Sequence, residues 1–402
     1  MFLDALTPVQ EIKLAHWTQT MRRSMLRQMI AVVSRPGILS FAGGLPAPEL
    51  FPAADYAGAT SHVLATDAKA LQYGPPFQPL KAHIVKLMAQ RGVTCTEEEV
   101  FLTTGAQQGL DVLTRLLLNP GDDIILEELV YTGVQQCVAP YQPQILPVST
   151  DLALGIDVEQ IAAYLAAGAR PAFIYLVPDA HNPLGVSISR ERRGQLVDLA
   201  LRYNVPLIED DPYGFLHYCD VMEAPMRSLN ASHVFYLGSF SKILAPALRL
   251  GWMIAPAELV SKLTVAKEAS DLESSALTQR AVAAYLDAGH LPAHIEKLRS
   301  EYGRRCAAML NALEYFFPAE ARWTKPTGGM FIWVELPGSI DTVDLLETAV
   351  TQEKVAFIPG SAFAVPGHQV TNCLRLNFSN TTVEQIEDGI QRLGVVIKQY
   401  VY

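Results

Sequence analysis

The feature that most constrains the fold is an alternation of short apolar runs and helical segments that begins near residue 100. Segments with helical spacing, such as Gly109 to Leu118 and Arg190 to Tyr203, separate the apolar runs. Such alternation predicts a mainly parallel sheet that helices cover on both faces. In sheets of this kind, ligands bind beyond the carboxyl ends of the strands. The apolar runs are Val100 to Thr103, Asp123 to Leu126, Ala172 to Val177, Val205 to Ile208 and Val234 to Leu237.

Residues that suit a bound ligand follow the first four runs. Glycines from Gly105 onwards open a helix, where exposed backbone N–H groups and the helix dipole favour an anion. Tyr131 provides an aromatic ring after the second run, and Asn182 provides an amide in a rigid turn after the third. Asp210 and Tyr213 follow the fourth run. Glycine-rich helix starts are common, so the first of these signals is weak on its own.

The fifth run leads into SFSKILAPALRLGW, from Ser239 to Trp252, which holds one lysine, Lys242. A lysine close to a buried strand end is poorly solvated, which lowers its pKa and leaves part of it as the free amine. A free amine can form a Schiff base with an aldehyde. The serine hydroxyls and Arg249 offer donors and a planar cation to a phosphate group. Read alone, the same residues also suit a lysine in a serine-rich turn without a chemical role.

Together, these residues match separate requirements of pyridoxal phosphate, a cofactor that acts as an electron sink. Its ring nitrogen needs a carboxylate partner to stay protonated, which Asp210 can provide. Its phenolic oxygen needs donors, which Asn182 and Tyr213 can supply, and its ring needs a flat wall such as Tyr131. Its phosphate needs N–H groups, hydroxyls and a cation, which are available at Gly105, Ala106, Gln107, Ser239, Ser241 and Arg249.

The pattern changes from about Leu291. A long helical stretch is followed by strand-like runs and then by an amphipathic stretch, Val383 to Val396, which together predict a smaller α/β domain. The strand-like runs are Met330 to Leu336, Val355 to Ile358 and Cys373 to Phe378. We expect residues 1–52 to form an N-terminal segment that packs with this domain and the active site. Residues 53–290 then form the large cofactor-binding domain, and residues 291–402 form the small domain.

Two features outside the large domain allow more than one interpretation. Arg375 is a charge inside an otherwise apolar strand, so it is either an edge-facing side chain or a cation that binds a ligand. The segment Ile38 to Pro52 contains Gly43 and Gly44 together with three prolines, which favour an ordered, non-repetitive path. That segment is either a linker or part of the site.

The chain resembles the fold-type I pyridoxal phosphate enzymes of the class I/II aminotransferase group. The similarity runs in order from about Arg27 to the C-terminus and is closest to the branch of kynurenine and 2-aminoadipate aminotransferases and of the domain found in MocR-type regulators. The motifs that carry it are FAGGLPAPELFP, LQYGP, TTGAQQGLDVL, HNPLG, EDDPYGFL, SFSKILAPALRLGW, PTGGMFIW and LRLNFS. The resemblance implies a large domain with a mainly parallel seven-stranded sheet flanked by helices, plus a smaller α/β domain.

The resemblance also implies roles for individual residues. Lys242 would be the Schiff-base lysine, and Arg375 would bind the α-carboxylate of the substrate together with Asn182. Tyr73 would reach the phosphate bound to the neighbouring subunit, which implies a homodimer. Gly44 and Arg27 would belong to a mobile N-terminal segment that closes over the substrate. For Asp210, Asn182, Tyr213 and Tyr131, the resemblance implies the same roles towards the cofactor that the residues themselves suggest.

The sequence departs from the family pattern at two positions. Ala106 stands where relatives often carry a serine, so one hydroxyl contact to the phosphate is missing and cofactor binding is expected to be weaker by about 1 kcal/mol. Leu184 stands where the NPTG motif has its threonine, which retains the Asn182 amide but changes a turn residue. We expect altered packing of this loop without loss of chemistry.

The expected activity is the transfer of an amino group from an L-amino acid to a 2-oxo acid. The donor would have an aromatic, aliphatic or 2-aminoadipate-like side chain, 2-oxoglutarate would be the acceptor, and the kinetics would be ping-pong through a Lys242 Schiff base. A lyase, decarboxylase or racemase would use the same cofactor residues, because pocket walls decide which bond breaks. A non-catalytic ligand-sensing module of the MocR type is an alternative from another class.

The overall charge bears on partners and location. Lys and Arg number 31 against 41 Asp and Glu, which gives a net charge of -10 and disfavours a nucleic-acid-binding surface. No apolar run approaches the length of a membrane span, and the N-terminal sequence lacks the apolar core of a signal peptide, so we expect a cytoplasmic protein. The five cysteines are scattered without CxxC spacing, which predicts buried thiols and no metal site.

Overall fold

The computed structural model of the protein describes residues 13–20, 36–219 and 222–401. The strands in these ranges are β1 (Leu39–Ser40), β2 (Val100–Thr103), β3 (Asp123–Glu127), β4 (Gln144–Val148), β5 (Thr150–Asp151), β6 (Gly155–Ile156), β7 (Ile174–Leu176), β8 (Leu207–Asp210), β9 (Val234–Ser239), β10 (Gly251–Ile254), β11 (Arg322–Trp323), β12 (Phe331–Glu335), β13 (Val355–Ala356), β14 (Ile358–Pro359) and β15 (Cys373–Asn377).

The α-helices in the same ranges are α1 (Ala53–Thr66), α2 (Gln78–Gln90), α3 (Ala106–Leu117), α4 (Thr132–Val138), α5 (Val158–Ala166), α6 (Arg190–Tyr203), α7 (Ala257–Asp271), α8 (Ala276–Asp287), α9 (Leu291–Phe316), α10 (Thr342–Thr348) and α11 (Val383–Val401). Each apolar run predicted as a strand in the large domain is one, and the helix predicted over Arg190 to Tyr203 has these bounds.

The large sheet has seven strands within the described ranges, in the order β2-β10-β9-β8-β7-β3-β4. Strand β10 runs antiparallel to both of its neighbours, and the other pairs are parallel. The prediction of a mainly parallel seven-stranded sheet is therefore confirmed. Two of its strands, β4 and β10, were not predicted. Pro147 interrupts the pattern of β4, and proline is tolerated there because β4 is an edge strand.

Both faces of the large sheet are buried beneath helices. Alternate residues of β3 show the two faces: Ile124 packs in one apolar cluster with Leu113 of α3, and Ile125 packs in another with Leu196 of α6. This follows from the period of two along a strand, which sends successive side chains to opposite faces. The near-continuous apolar strands of the sequence are thus explained by helices on both sides.

The C-terminal part of the chain carries a separate antiparallel sheet, in the order β11-β12-β15-β14. Helices α9 and α11 share an apolar cluster through residues such as Leu313 and Leu393. The run Val355 to Ile358 was predicted as a single strand-like element. It is split: β14 joins this sheet, whereas β13 pairs in parallel with β1.

The N-terminal segment is attached to this C-terminal part through backbone hydrogen bonds. Leu39 of β1 pairs with Val355 of β13. Phe41 donates its N–H to Ala356 O at 2.8 Å and accepts the N–H of Asn377 at 2.8 Å. The segment that contains Gly44 is thereby held beside β15, the strand that carries Arg375.

Two further findings concern the cysteines and the helices. Four cysteines are buried and Cys219 is exposed, so the prediction of buried thiols is wrong at this one position. Among the described helices, none combines the length and the apolar character needed to cross a bilayer.

Candidate active site

A cavity of about 250 Å³ lies at the carboxyl ends of the parallel strands. It brings together residues that lie far apart in the sequence, from Gly44 to Arg375. Most of the predicted site residues line it, namely Gly44, Ala106, Gln107, Tyr131, Asn182, Asp210, Tyr213, Ser239, Ser241, Lys242, Arg249 and Arg375. The site therefore lies where open α/β sheets bind their ligands.

Lys242 follows β9 and is held inside this cavity. Its Nζ donates to the backbone oxygen of Gly44 at 2.8 Å. Burial, and then the positive charges of Arg375 and Arg249, lower the pKa of Lys242 from 10.5 to about 8. A measurable fraction of the side chain is therefore the neutral amine near neutral pH, in agreement with the prediction made from its place after a buried strand.

Asp210 ends strand β8 and is buried. Its Oδ2 accepts a hydrogen bond from the Tyr175 hydroxyl at 2.7 Å, whereas Oδ1 has no hydrogen-bond partner among the described residues. Burial raises the pKa of Asp210 to about 6; the Tyr175 hydrogen bond lowers it, and the charge of Asp211 raises it. Asp210 is thus mainly ionised at pH 7, with one oxygen still able to accept a hydrogen bond.

The two acids beside Asp210 have different partners. Glu209 accepts the backbone N–H groups of Met226 and Arg227 at 2.7 and 2.9 Å. Asp211 lies 3.2 Å from the Arg91 guanidinium and accepts the Tyr236 hydroxyl at 2.9 Å. Of these three consecutive acids, only Asp210 lines the cavity.

Arg375 lies opposite on β15 and is also buried. Its Nη1 donates to Asn182 Oδ1 at 2.7 Å and its Nη2 donates to Ala42 O at 2.6 Å. The guanidinium carbon lies 4.2 Å from the ring centroid of Phe331 and 4.8 Å from that of Phe363. Burial lowers the pKa of Arg375 to about 10, which still leaves it charged at neutral pH. The edge-facing interpretation of Arg375 is wrong, because β15 lies between β12 and β14.

The start of α3 forms the other end of the site. Gly105 precedes the helix with φ +81° and ψ 163°, a conformation almost restricted to glycine. A Cβ at this position would lie 2.5 Å from Arg249 Nη2. Arg249 Nη2 also donates to Thr104 O at 3.2 Å. The first N–H groups of the helix and a guanidinium are therefore held side by side, which suits an anion.

An aromatic wall closes one side of the cavity. The Tyr131 hydroxyl donates to Gln107 Oε1 at 3.0 Å, and Gln107 Nε2 donates to Gly133 O at 3.0 Å. The Tyr213 ring meets Phe331 edge to face, with centroids 5.8 Å apart. The pairing of Tyr131 with Gln107 links the wall to the anion-binding end and was not predicted.

The structure adds two residues to the site that sequence reasoning missed. Tyr175 contacts Asp210, and Phe331 lies against Arg375; both are apolar strand residues that the sequence gives no reason to separate from the core. Phe363 is fully buried beneath Arg375.

Two predicted residues that the structure describes do not line the cavity. Gly105 lies behind Arg249, as described above. Tyr73 is 78% exposed and lies outside the cavity of its own chain. Arg27 lies outside the described residues, so the structure does not bear on it.

The side chains present fit pyridoxal 5'-phosphate. The buried Asp210 Oδ1 is an acceptor without a partner in the described part of the chain, as the protonated ring nitrogen requires. The amine of Lys242 and the hydroxyls of Ser239 and Ser241 share the cavity with it. Gly105 has no side chain, so Arg249 lies against its backbone and the start of α3 stays open to a phosphate.

Comparisons with known proteins agree with this geometry. A family model described as aminotransferase class I and II matches residues 42–393. The aromatic-amino-acid aminotransferase 1 of Thermococcus litoralis is 38% identical over 387 residues, which cover 94% of this chain and 92% of that protein.

Two solved structures are similar over almost their whole length. A kynurenine aminotransferase of Pyrococcus horikoshii, in complex with PMP, superposes with a TM-score of 0.91 at 38% identity and covers 97% of this chain and 98% of its own. An alpha-aminoadipate aminotransferase of Thermus thermophilus, complexed with N-(5'-phosphopyridoxyl)-L-leucine, gives 0.89 at 34% identity, with 96% and 98% covered. The chain therefore belongs to the aminotransferase class I and II family, as a pyridoxal-phosphate-dependent aminotransferase of fold type I.

Proposed function

We propose that this aminotransferase takes the amino group of an L-amino acid with an aromatic, aliphatic or 2-aminoadipate-like side chain and passes it to 2-oxoglutarate by a ping-pong mechanism. The observation that carries the proposal is the shared cavity of Lys242, Asp210 and Arg375. The choice of donors is supported by the names of the relatives, which act on aromatic amino acids, kynurenine and 2-aminoadipate.

The cofactor supplies an electron sink that stabilises negative charge on the substrate α-carbon. We assign Lys242 as the residue that holds it covalently and Asp210 as the partner of its ring nitrogen. Asn182 and Tyr213 serve its ring oxygen, and Tyr131 lies against the ring. The phosphate is assigned to Gly105, Ala106, Gln107, Ser239, Ser241 and Arg249.

Arg375 binds the α-carboxylate of the substrate in this proposal. Its guanidinium is charged at neutral pH and is held flat between Phe331 and Phe363, so it presents a planar fork to a carboxylate. Asn182, which already accepts from Arg375 Nη1, keeps this fork in one orientation.

Lys242 moves the proton. Once its Nζ is free, the lowered pKa of about 8 allows the neutral amine of Lys242 to take the substrate α-proton and to deliver it to a carbon of the cofactor. General-base catalysis of this kind contributes about 10²- to 10⁴-fold to the rate. The burial that lowers this pKa also limits the access of water to the transfer.

The half-reaction tests this function directly. The holoenzyme mixed with a donor amino acid alone should release one equivalent of 2-oxo acid per site and then stop until 2-oxoglutarate is added. Lys242→Ala should abolish this release. Continuous product from the amino acid alone would indicate a lyase, decarboxylase or racemase, and binding without any product would indicate a ligand-sensing module.

We further propose a homodimer in which Tyr73 completes the partner's phosphate site. Tyr73 is 78% exposed, and its neighbours Leu71 and Leu272 are 77% and 63% exposed, which makes an apolar surface beside the site. The loop is anchored to the segment after α7, because Gly74 N–H donates to Glu273 at 3.0 Å.

Three other expectations stay predictions. One is the division into residues 1–52, 53–290 and 291–402. The second is the closing role of Gly44 and Arg27, and the third is the cytoplasmic location.

A further inference from the structure

Tyr175 is a buried hydroxyl in the interior of the large sheet. It lies on β7, and its hydroxyl donates to Asp210 Oδ2 at 2.7 Å. Tyr175 is 0% and Asp210 5% exposed, so water does not compete for this hydrogen bond. We propose that Tyr175 is a positioning residue that fixes the Asp210 carboxylate through Oδ2 and so leaves Oδ1 to pair with the ring nitrogen of the bound cofactor. The proposal rests on the assignment of Asp210 made above.

The register of the sheet explains why these two side chains meet. Strand β7 is parallel to β8, and Tyr175 is opposite Ile208. Asp210 comes two residues after Ile208, so it projects from the same face of the sheet. A long aromatic side chain reaches such a diagonal neighbour, which places the Tyr175 hydroxyl against the carboxylate.

Among the described residues, four titratable groups face Asp210, and the Tyr175 hydroxyl is the one that donates a hydrogen bond to it. Tyr175 approaches from β7, Cys137 from α4, and Asp211 and Tyr213 from the segment after β8. Burial raises the pKa of the Cys137 thiol to about 12 and the pKa values of both tyrosines, so these groups are neutral at neutral pH. Asp211 carries a like charge, which opposes ionisation of Asp210.

These contacts determine whether loss of the Tyr175 hydroxyl raises or lowers the pKa of Asp210. A hydroxyl that donates to a carboxylate favours its ionised form, and the Tyr175 hydrogen bond lowers the pKa of Asp210. Removal of the hydroxyl raises that pKa above its value of about 6. A larger share of Asp210 is then neutral near pH 7 and no longer offers a charged partner to the ring nitrogen.

A second tyrosine provides a matched control. Tyr236 on β9 is also 0% exposed and donates its hydroxyl to the adjacent acid, Asp211 Oδ2, at 2.9 Å. Asp211 does not line the cavity, and it keeps Arg91 at 3.2 Å and the Gly214 N–H at 2.7 Å. Tyr236→Phe thus removes an equivalent hydrogen bond, but from the residue next to Asp210 and not from Asp210 itself.

The test measures cofactor affinity by equilibrium dialysis of the Tyr175→Phe, Tyr236→Phe and wild-type holoenzymes against pyridoxal 5'-phosphate, from below to above the Asp210 pKa of about 6. Loss of one hydrogen bond to a charged group corresponds to roughly tenfold weaker binding. We expect this loss in Tyr175→Phe at neutral pH, together with a fall in affinity that begins at a higher pH than in wild type. Tyr236→Phe should match wild type in affinity and should not move the fall to higher pH.

A cofactor analogue with carbon in place of the ring nitrogen separates positioning from a general effect on the fold. Tyr175→Phe and wild type should bind this analogue equally, because it has no nitrogen to pair with Asp210. If Tyr175→Phe weakens the analogue and the cofactor alike, or if Tyr236→Phe produces the same shift, the positioning role is wrong. Loss of folding in Tyr175→Phe, seen by circular dichroism, would likewise assign the hydroxyl to stability and overturn the proposal.

Asp210→Asn distinguishes failure of this inference from failure of the proposed function. If Asp210→Asn weakens cofactor binding and Tyr175→Phe does not, Tyr175 has no positioning role and the assignment of Asp210 stands. If neither variant changes the affinity, the assignment of Asp210 itself is wrong.

Discussion

At the scale of single residues, the contact between Gly105 and Arg249 shows how little room the anion-binding end has. A Cβ at Gly105 would lie 2.5 Å from Arg249 Nη2 and 3.0 Å from its Cζ. Any side chain at Gly105 therefore has to displace the guanidinium that we assign to the phosphate. The backbone at Gly105 is also strained for other residues, at an order of 1–3 kcal/mol.

We expect Gly105→Ala to lower the affinity for pyridoxal 5'-phosphate much more than the affinity for unphosphorylated pyridoxal, since the displaced group faces the phosphate. Gly121→Ala is the control, because Gly121 has a similar φ of +84° but nothing within 4 Å of an added Cβ. Both variants should unfold more easily, and only Gly105→Ala should change the ratio of the two affinities, measured by dialysis. Equal ratios in both variants would contradict the assignment of Arg249.

Lys242 leads to a prediction about stability. Its folded pKa of about 8 is below the ordinary value of 10.5, so the unfolded chain holds more protons between these two pH values. Burial of the charge therefore destabilises the protein fully below pH 8, by about 3 kcal/mol at most, and the penalty disappears as the pH rises to about 10.5. With cofactor removed from both proteins, Lys242→Met should be more stable than wild type at pH 7.

Urea unfolding at several pH values measures this difference between Lys242→Met and wild type. It should shrink steadily as the pH rises above 8. A constant difference over the whole range would mean that packing of the methionine, and not the charge of Lys242, is responsible.

Where a predicted residue followed a strand, as Asn182 and Lys242 do, the structure places it in the cavity, because chain direction brings strand ends to one edge. From the sequence we chose Asp210 rather than Glu209 or Asp211, and of these three only Asp210 lines the cavity, because consecutive residues alternate between the faces of a strand. Tyr175 was missed. Its hydroxyl finds a partner 35 residues away, in a neighbouring strand, and no local pattern marks it.

At the scale of secondary-structure elements, a buried charge cluster ties α2 to two site loops. Arg91 follows α2, and its Nη2 lies 2.9 Å from Asp179 Oδ2 and 3.2 Å from Asp211 Oδ2. Arg193 of α6 also contacts Asp179, at 2.6 Å. Asp179 precedes the Asn182 turn and Asp211 follows Asp210, so the cluster holds the loops after β7 and β8 in a fixed relation.

Arg91→Met should lower the free energy of unfolding by about 3–5 kcal/mol, because it leaves two buried carboxylates without this partner. Arg304→Met is the control, since Arg304 pairs with Glu301 on the surface and is well exposed. Urea unfolding compares the two. An equally small loss in both variants would mean that the loops do not depend on Arg91.

Element prediction succeeded where periodicity was sustained, as in α6 and α9, and failed where it was broken. The four residues of β10 open with Gly251, directly after the loop of Lys242, so the short apolar run from Trp252 to Ile254 was read as part of that loop. The run from Val355 to Ile358 looked like one strand, but hydrogen-bond partners from β1 and β15 divide it. Such partners lie far away in the chain and cannot be read from a local window.

At the scale of the whole molecule, the proposed dimer requires that one site draw residues from two chains. If Tyr73 serves the partner, a hybrid of Lys242→Ala and Tyr73→Ala subunits contains one site with both wild-type residues. Two individually impaired variants should therefore regain transamination activity after they are dissociated and reassociated together.

The control mixture combines Lys242→Ala with Arg249→Ala. Both residues line the same cavity of one chain, so no hybrid of these variants contains a complete site. Activity per subunit, measured after mixing, should rise only in the first mixture. A rise in neither mixture would place Tyr73 outside the partner's site.

The N-terminal segment supplies backbone acceptors to two side chains of the site. The carbonyl of Ala42 accepts from Arg375 at 2.6 Å and the carbonyl of Gly44 accepts from Lys242 at 2.8 Å. A substrate carboxylate that binds Arg375 thus competes with a backbone oxygen of the protein itself. Measured affinity is then the difference between the hydrogen bonds that the carboxylate makes with Arg375 and the one that the Ala42 carbonyl gives up. Ligand exchange becomes a swap of acceptors, in which the backbone reclaims the guanidinium as the product leaves.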